Sequence, residues 1–231
     1  MAHTNQYASG EYLEKYPDWG RNASTWKADK VHDMLTRHNL NPATICDVGC
    51  GAGMVLNHLQ KYYKDSKLTG FDISPQAIGI AKKFENKNLN YLNEDFLATS
   101  TENFEIILLL DVLEHVEDHI GFLRKLRGRA DKYIFHLPLE LSALSIARNK
   151  LGEYRRQRGH IHQFTRDKLL DILEYTNYRI IDHFYTGAAI DVPGLPMNQR
   201  LFSYPRRIAF FLNAELGVRL LGGYSIMILA E

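Results

Sequence analysis

Between Thr44 and Leu137 short apolar runs alternate with helix-length stretches, and that rhythm leaves few folds open. The runs Thr44–Val48, Lys67–Phe71, Asn90–Asn93, Phe104–Leu110 and Lys132–Leu137 read as strands. Helices are predicted between them over Met54–Tyr63, from Pro75 onward with Ser74 as N-cap, and over Val116–Leu126. Strands and helices in this order join through right-handed βαβ crossovers, which place helices on both faces of a parallel sheet. A run as apolar as Phe104–Leu110 fits a strand covered on both faces. The expected fold is α/β, three-layer and doubly wound, with a mostly parallel sheet.

The flanking segments break the rhythm. A helix over about Thr25–Arg37, with Ser24 as N-cap and Trp26, Val31, Met34 and Leu35 facing inward, makes residues 1–40 an N-terminal helical cap. Residues 139–163 read as a helix and a polar loop ahead of a helix Asp167–Tyr175 capped by Thr165. Residues 187–216 hold Pro193, Pro196 and Pro205 and end in an amphipathic helix near Arg206–Leu216. Both are expected as lid insertions on the substrate side. Strands Tyr178–Tyr185 and Tyr224–Ala230, parted by the second insertion, predict an antiparallel hairpin at one sheet edge, and thus an antiparallel edge strand.

One domain over residues 1–231 accommodates all of this, and a 45% hydrophobic share supplies its core. With 28 basic and 27 acidic residues the net charge of +1 gives no global field to attract nucleic acid or an anionic membrane. Nucleic acid is therefore not an expected partner. The two cysteines, Cys46 and Cys50, fit no zinc-knuckle spacing and suit a cytoplasmic location. No apolar run approaches the ~20 residues of a membrane span. Monomer and homodimer are both compatible with the sequence.

The first strand ends in Asp47-Val48-Gly49-Cys50-Gly51-Ala52-Gly53, the position where doubly wound sheets bind ligands. A dinucleotide fingerprint would need glycine where Met54 stands, and a Walker loop would need Gly-Lys-Ser/Thr. The alternating glycines still let backbone approach a bulky ligand, because they lack Cβ and tolerate positive φ. On these residues, together with Phe71-Asp72-Ile73-Ser74, Asn93-Glu94-Asp95-Phe96 and Leu110-Asp111-Val112-Leu113-Glu114-His115, the chain resembles class I S-adenosylmethionine-dependent methyltransferases.

The resemblance implies a seven-stranded sheet, S-adenosylmethionine as cofactor and S-adenosylhomocysteine as product. It places Asp47 and the backbone of Gly49, Cys50, Gly51 and Gly53 along the methionine end of the cofactor. Asp72, followed by Ile73, would take the ribose hydroxyls; Asp95 would face the adenine amine, with Phe96 beside the ring. Asp111 would border the cofactor at the active-site edge. A carboxylate at the end of the second strand suits two hydroxyl donors on chemical grounds as well. The alternative, Asp72 as cap of the helix at Pro75, competes with the better-placed Ser74.

Asp111, Glu114 and His115 stand at i, i+3 and i+4, so a helix there would put two acids and an imidazole on one face. His115 is then the candidate general base, with Asp111 or Glu114 orienting it. Alternatively Glu114 favours a helix N-terminus and His115 packs. With Gly159-His160-Ile161-His162-Gln163-Phe164-Thr165 the pattern resembles the metal-binding set of ubiquinone-pathway O-methyltransferases and small-RNA 2′-O-methyltransferases. The implied divalent-metal ligands are Asp111, Glu114, His115 and His160, with Asp111 departing from the glutamate those families carry. The histidines could equally just order the loop ahead of Thr165. The basic run Arg148, Lys150, Arg155, Arg156 and Arg158 would clamp an anionic acceptor or form a solvated face. Tyr7, Tyr12, Tyr16 and Trp19 would close over the cofactor or pack in the core. The leading expectation is methylation, on oxygen, of an anionic or hydrophobic small molecule. An RNA methyltransferase and a non-catalytic cofactor-binding protein are the alternatives.

Overall fold

The computed structural model describes residues 21–187, 190–192 and 197–231. The aromatic cluster at Tyr7, Tyr12, Tyr16 and Trp19, and Pro193 and Pro196, lie outside these residues. Seven strands, β1 (Thr44–Val48), β2 (Lys67–Phe71), β3 (Leu89–Leu92), β4 (Phe104–Leu110), β5 (Ala130–Pro138), β6 (Ile180–Thr186) and β7 (Ser225–Ala230), form one sheet in the order β3-β2-β1-β4-β5-β7-β6. β1 to β5 run parallel, and β7 is antiparallel to both β5 and β6. The expected hairpin thus closes one edge, with the reversed strand one place in. The strand order turns back between β1 and β4, so their carboxyl ends flank the crevice where such sheets bind ligands.

Ten helices cover the described residues: α1 (Arg21–Arg37), α2 (Met54–Leu59), α3 (Pro75–Ala81), α4 (Phe96–Thr99), α5 (His119–Leu126), α6 (Ala143–Ala147), α7 (Leu151–Arg158), α8 (Arg166–Tyr175), α9 (Met197–Leu212) and α10 (Ala214–Leu221). The period of two along β4 divides its side chains between two cores. Ile106, Leu108 and Leu110 pack with Val31 and Leu35 of α1, Leu56 of α2 and Ile78 of α3. Ile107 and Leu109 pack with Leu123 of α5 and Leu169 and Leu173 of α8. Trp26, Val31, Met34 and Leu35 are all buried, as their spacing predicts.

The departures from sequence expectation are local. α1 starts at Arg21, so Ser24 lies within the helix and is not its N-cap. After β4 the chain makes a 3-10 turn, Leu113–His115, and α5 begins only at His119, where the Asp118 carboxylate accepts the Gly121 N–H at 2.9 Å. The first insertion folds as two short helices, α6 and α7, because Ser142 and Ser145 close a reciprocal capping box between the Pro138 strand end and α6. α9 continues through Pro205, where the sequence reads as irregular. Further along the helix Phe210 packs against Tyr185 and Tyr224.

Candidate active site

The glycine loop after β1 folds back onto the end of β2. The N–H groups of Gly49 and Cys50 both donate to the Phe71 carbonyl, at 2.8 and 3.0 Å. Gly49, Gly51 and Gly53 have φ of +81°, +55° and +77°. A Cβ at Gly49 would stand 2.7 Å from Val112 Cγ2, and one at Gly53 would stand 2.6 Å from the Tyr91 ring. Tyr91 in turn donates its hydroxyl to the Gly53 carbonyl at 2.6 Å. The glycines therefore allow a loop of positive φ packed so closely on Val112 and Tyr91 that no Cβ fits, and the cradle it forms is walled by backbone. Cys50 presents backbone to it while its thiol packs against Gly70, and burial pushes that thiol well up, so it remains a packing group.

Asp47 lies beneath the cradle at 2% exposure. Burial pushes its carboxyl up to about 7, Lys27 opposing and Asp72 adding to the rise. An acid poised so near neutrality becomes a full carboxylate when a ligand brings a cation or a strong donor. A sulfonium cofactor with an ammonium group fits both that acid and the Cβ-free cradle. Asp72 Oδ2 accepts the Gly51 N–H and Oδ1 the Ser74 N–H, both at 2.8 Å. Ser74 is the actual cap of α3, its hydroxyl accepting from Ala77, so Asp72 is left at the crevice mouth beside the exposed Ile73. Asp95 is exposed and accepts the Leu97 N–H at the start of α4. The Phe96 ring is buried, edge-on to Phe71 at 5.1 Å with the Arg129 guanidinium over it.

At the end of β4 the acids separate. Asp111 adopts φ +58°, and its N–H donates to the His136 carbonyl at 2.8 Å. Its carboxylate receives Lys27 Nζ at 2.7 Å and His136 Nδ1 at 2.7 Å. Burial alone would raise this acid, yet Lys27 and then His136 hold it well below the usual carboxylate range. Glu114 is fully buried, and burial followed by the Asp111 charge pushes its carboxyl well up. Neither Glu114 oxygen has a hydrogen-bond partner among the described residues.

His115 Nδ1 sits 3.1 Å from the Gly159 carbonyl, which places the ring proton on Nδ1 and the lone pair on Nε2. Burial, then the His160 imidazole, lower its pKa to about 4. His160 lies edge-on to His115 at 4.9 Å. Its Nδ1 comes within 2.9 Å of Glu140 Oε1, but the alignment is too poor for a hydrogen bond. The N–H groups of Ile161 and His162 both donate to the Glu114 carbonyl and so zip the 159–165 loop onto the 3-10 turn.

Glu114, His115 and His160 offer ligand atoms all within 4.8 Å of one another. The structure thus brings together three of the four residues expected around a metal. Asp111 stands apart, because a left-handed residue followed by a 3-10 turn does not present i, i+3 and i+4 on one face. His162 faces the Glu117 carbonyl and lies tilted against His119 at 4.3 Å. In the basic run Lys150 pairs with Glu153, while Arg158 reaches within 3.5 Å of Glu140. Sequence reasoning missed Lys27 and His136. A signal existed for His136, a polar residue inside the apolar run Tyr133–Leu137 of a parallel strand, where buried polar groups need a partner.

The sheet order, the cradle after β1 and the acid after β2 define a class I, S-adenosylmethionine-dependent methyltransferase fold. Residues 19–183 match a family model described as a methyltransferase domain, and the chain belongs to that family. It is 35% identical over 137 residues to a ubiquinone biosynthesis O-methyltransferase of Coxiella burnetii (strain Dugway 5J108-111), covering 51% of this chain and 56% of that one. The match thus spans just over half the length of that curated relative. Among solved structures, magnesium protoporphyrin IX methyltransferase from Synechocystis PCC 6803, with bound SAH, superposes with a TM-score of 0.66 at 17% identity, covering 98% and 96% of the two chains. The methyltransferase domain of bacterial CtHen1-C gives 0.60 at 16% identity, covering 90% and 97%. Likeness at that identity speaks for the fold. Among the described residues no helix is long and apolar enough to cross a membrane.

Proposed function

We propose that the protein is a cytoplasmic S-adenosylmethionine-dependent methyltransferase that methylates an oxygen of a small-molecule acceptor, with a divalent cation held by Glu114, His115 and His160. The observation that carries this reading is the buried acid–imidazole cluster with two orphaned carboxylate oxygens, built at the end of the strand next to the glycine cradle. The name of the Coxiella relative supports oxygen as the acceptor atom. The two buried, unpaired cysteines support a reducing compartment.

S-adenosylmethionine supplies a methyl group on a sulfonium whose departure as a neutral thioether drives the displacement. The chain's part is positioning, which can contribute roughly 7–11 kcal/mol when reactants are well aligned. In this reading Asp47 and the cradle hold the methionine end, Asp72 the ribose, and Asp95 the adenine edge. His115, neutral and fixed by Gly159, accepts a proton or a cation through Nε2. A mixed imidazole and carboxylate set of Glu114, His115 and His160 would suit Zn²⁺, Mn²⁺ or Fe²⁺, and the metal would supply Lewis acidity toward an acceptor hydroxyl. The exposed Arg155, Arg156 and Arg158 of α7 provide charge for an anionic acceptor group.

Tritium transfer from labelled S-adenosylmethionine to hydroxylated aromatic acceptors, before and after exhaustive chelation, tests the reading. Chelation should abolish transfer and added metal should restore it, with Glu114→Gln losing roughly 10–100-fold in metal-dependent rate. Full activity after chelation would reject the metal. Calorimetry that detects no S-adenosylhomocysteine binding at millimolar ligand would reject the cofactor assignment itself.

A further inference from the structure

We infer that Lys27, Asp111, His136 and Thr186 form a partly buried relay that clamps the cap helix α1 over the carboxyl ends of β4, β5 and β6, with His136 as its positioning residue. Four elements contribute one side chain each. Lys27 reaches down from α1 with 17% of its side chain exposed and meets Asp111 Oδ2 at 2.7 Å. His136 is 1% exposed; its Nδ1 meets Asp111 Oδ1 at 2.7 Å and its Nε2 meets Thr186 Oγ1 at 2.9 Å. Asp111 at Nδ1 and the Thr186 hydroxyl at Nε2 together give both ring nitrogens a partner.

The backbone is arranged for this. Parallel pairing sets Leu110 opposite His136, and the Asp111 N–H closes on the His136 carbonyl. Asp111 then takes a left-handed conformation uncommon for a residue with a side chain, with its carboxylate on the lysine and the imidazole. Trp26, adjacent to Lys27, packs edge-on to the His136 ring at 6.0 Å, so α1 touches the relay at two consecutive residues. At the far end Thr186 leads into Gly187, whose carbonyl accepts the N–H groups of Ile190 and Asp191, and Arg207 of α9 holds Asp191 at 2.7 Å. One buried histidine therefore ties the N-terminal cap and the second insertion to the same floor. The charge of Lys27 acts on Asp47 of the cradle and on Glu114 and His115 as well as on Asp111. Asp111 is on this view the counter-ion of the cap, a different task from metal ligation.

The inference rests on the methyltransferase reading only through its ligand readout, so two measurements separate the two. Hydrogen exchange across residues 23–37 of the ligand-free protein reports the clamp, and S-adenosylhomocysteine affinity reports its consequence. Lys27→Met, which keeps the aliphatic stem, and Asp111→Asn should each raise exchange of α1 and weaken ligand binding by about tenfold, the loss expected for a charged hydrogen bond. The double variant should be no worse than either single one. His136→Asn keeps a donor at the Nδ1 position and should preserve α1 protection that His136→Leu loses. Unchanged α1 exchange in folded Lys27→Met, strictly additive singles, or equal behaviour of the Asn and Leu variants would overturn the relay. Failure of the wild type to bind the ligand would sink the cofactor reading and leave the exchange result to decide the relay.

Discussion

His115 sits where burial, and then a second imidazole, bring its pKa down to about 4. An unfolded chain binds the same proton near pH 6.5. Between those values the unfolded state takes up a proton that the fold refuses, so this residue's contribution is intact above pH 6.5 and is lost as pH falls toward 4. The expected loss for the chelated protein between pH 7 and 4.5 is on the order of 2 kcal/mol. Asp47 works in the opposite sense, since its raised carboxyl favours the ligand-free fold at low pH and loses that advantage as pH rises from about 4 to about 7. Urea unfolding of wild type and His115→Gln at both pH values isolates the histidine; an equal gap between the two proteins at pH 7 and 4.5 would refute the assignment. At this scale the cradle glycines and Ser74 were legible in the sequence, because alternating glycines and a cap three residues from its N–H donor are local patterns, and Asp72 was read from its place just after the second strand. Lys27 and His136 were not, since their partners lie 84 and 25 residues distant at Asp111.

Among the elements, α8 shows how local chemistry and core packing agree. Thr165 accepts the Lys168 N–H at 3.2 Å, and the helix it starts buries Leu169 and Leu173 completely. Thr165→Ala should cost about 1 kcal/mol in urea unfolding, the usual worth of a lost N-cap, and leave S-adenosylhomocysteine affinity unaltered because α8 lies behind the sheet. A change in ligand affinity as large as the stability loss would show that the cap holds the 159–165 loop for binding. The segment after β4 shows the reverse. Acid and histidine spacing there reads as a helix face, but Asp111 is committed to Lys27 and His136, and the chain tightens to a 3-10 turn. Periodicity has no means of registering a competing partner on another strand. α9 likewise runs through the helix-breaking signal of Pro205, with Phe210 beyond it packed edge-on to Tyr185.

On the scale of the whole molecule, the crevice joins the ends of β1, β2, β3 and β4, so ligand binding should be felt as global stability. Ligand at 100 times its Kd adds about 2.7 kcal/mol to a fold that alone binds it. Thermal melts over a series of S-adenosylhomocysteine concentrations should therefore rise steadily in wild type, and Asp72→Ala should shift that series to concentrations at least about tenfold higher. A melting temperature independent of ligand concentration would contradict the crevice. The strand–helix rhythm from Thr44 to Leu137 determined, without any coordinates, that the sheet is doubly wound, and the spacing of the glycines placed the expected ligand loop after β1. They could do so because hydrophobic period and backbone freedom are properties of consecutive residues. Only the tertiary structure decided that Glu114, His115 and His160 converge while Asp111 turns away, since those positions depend on which strand ends and loops meet across the sheet and on which buried charge finds its partner first.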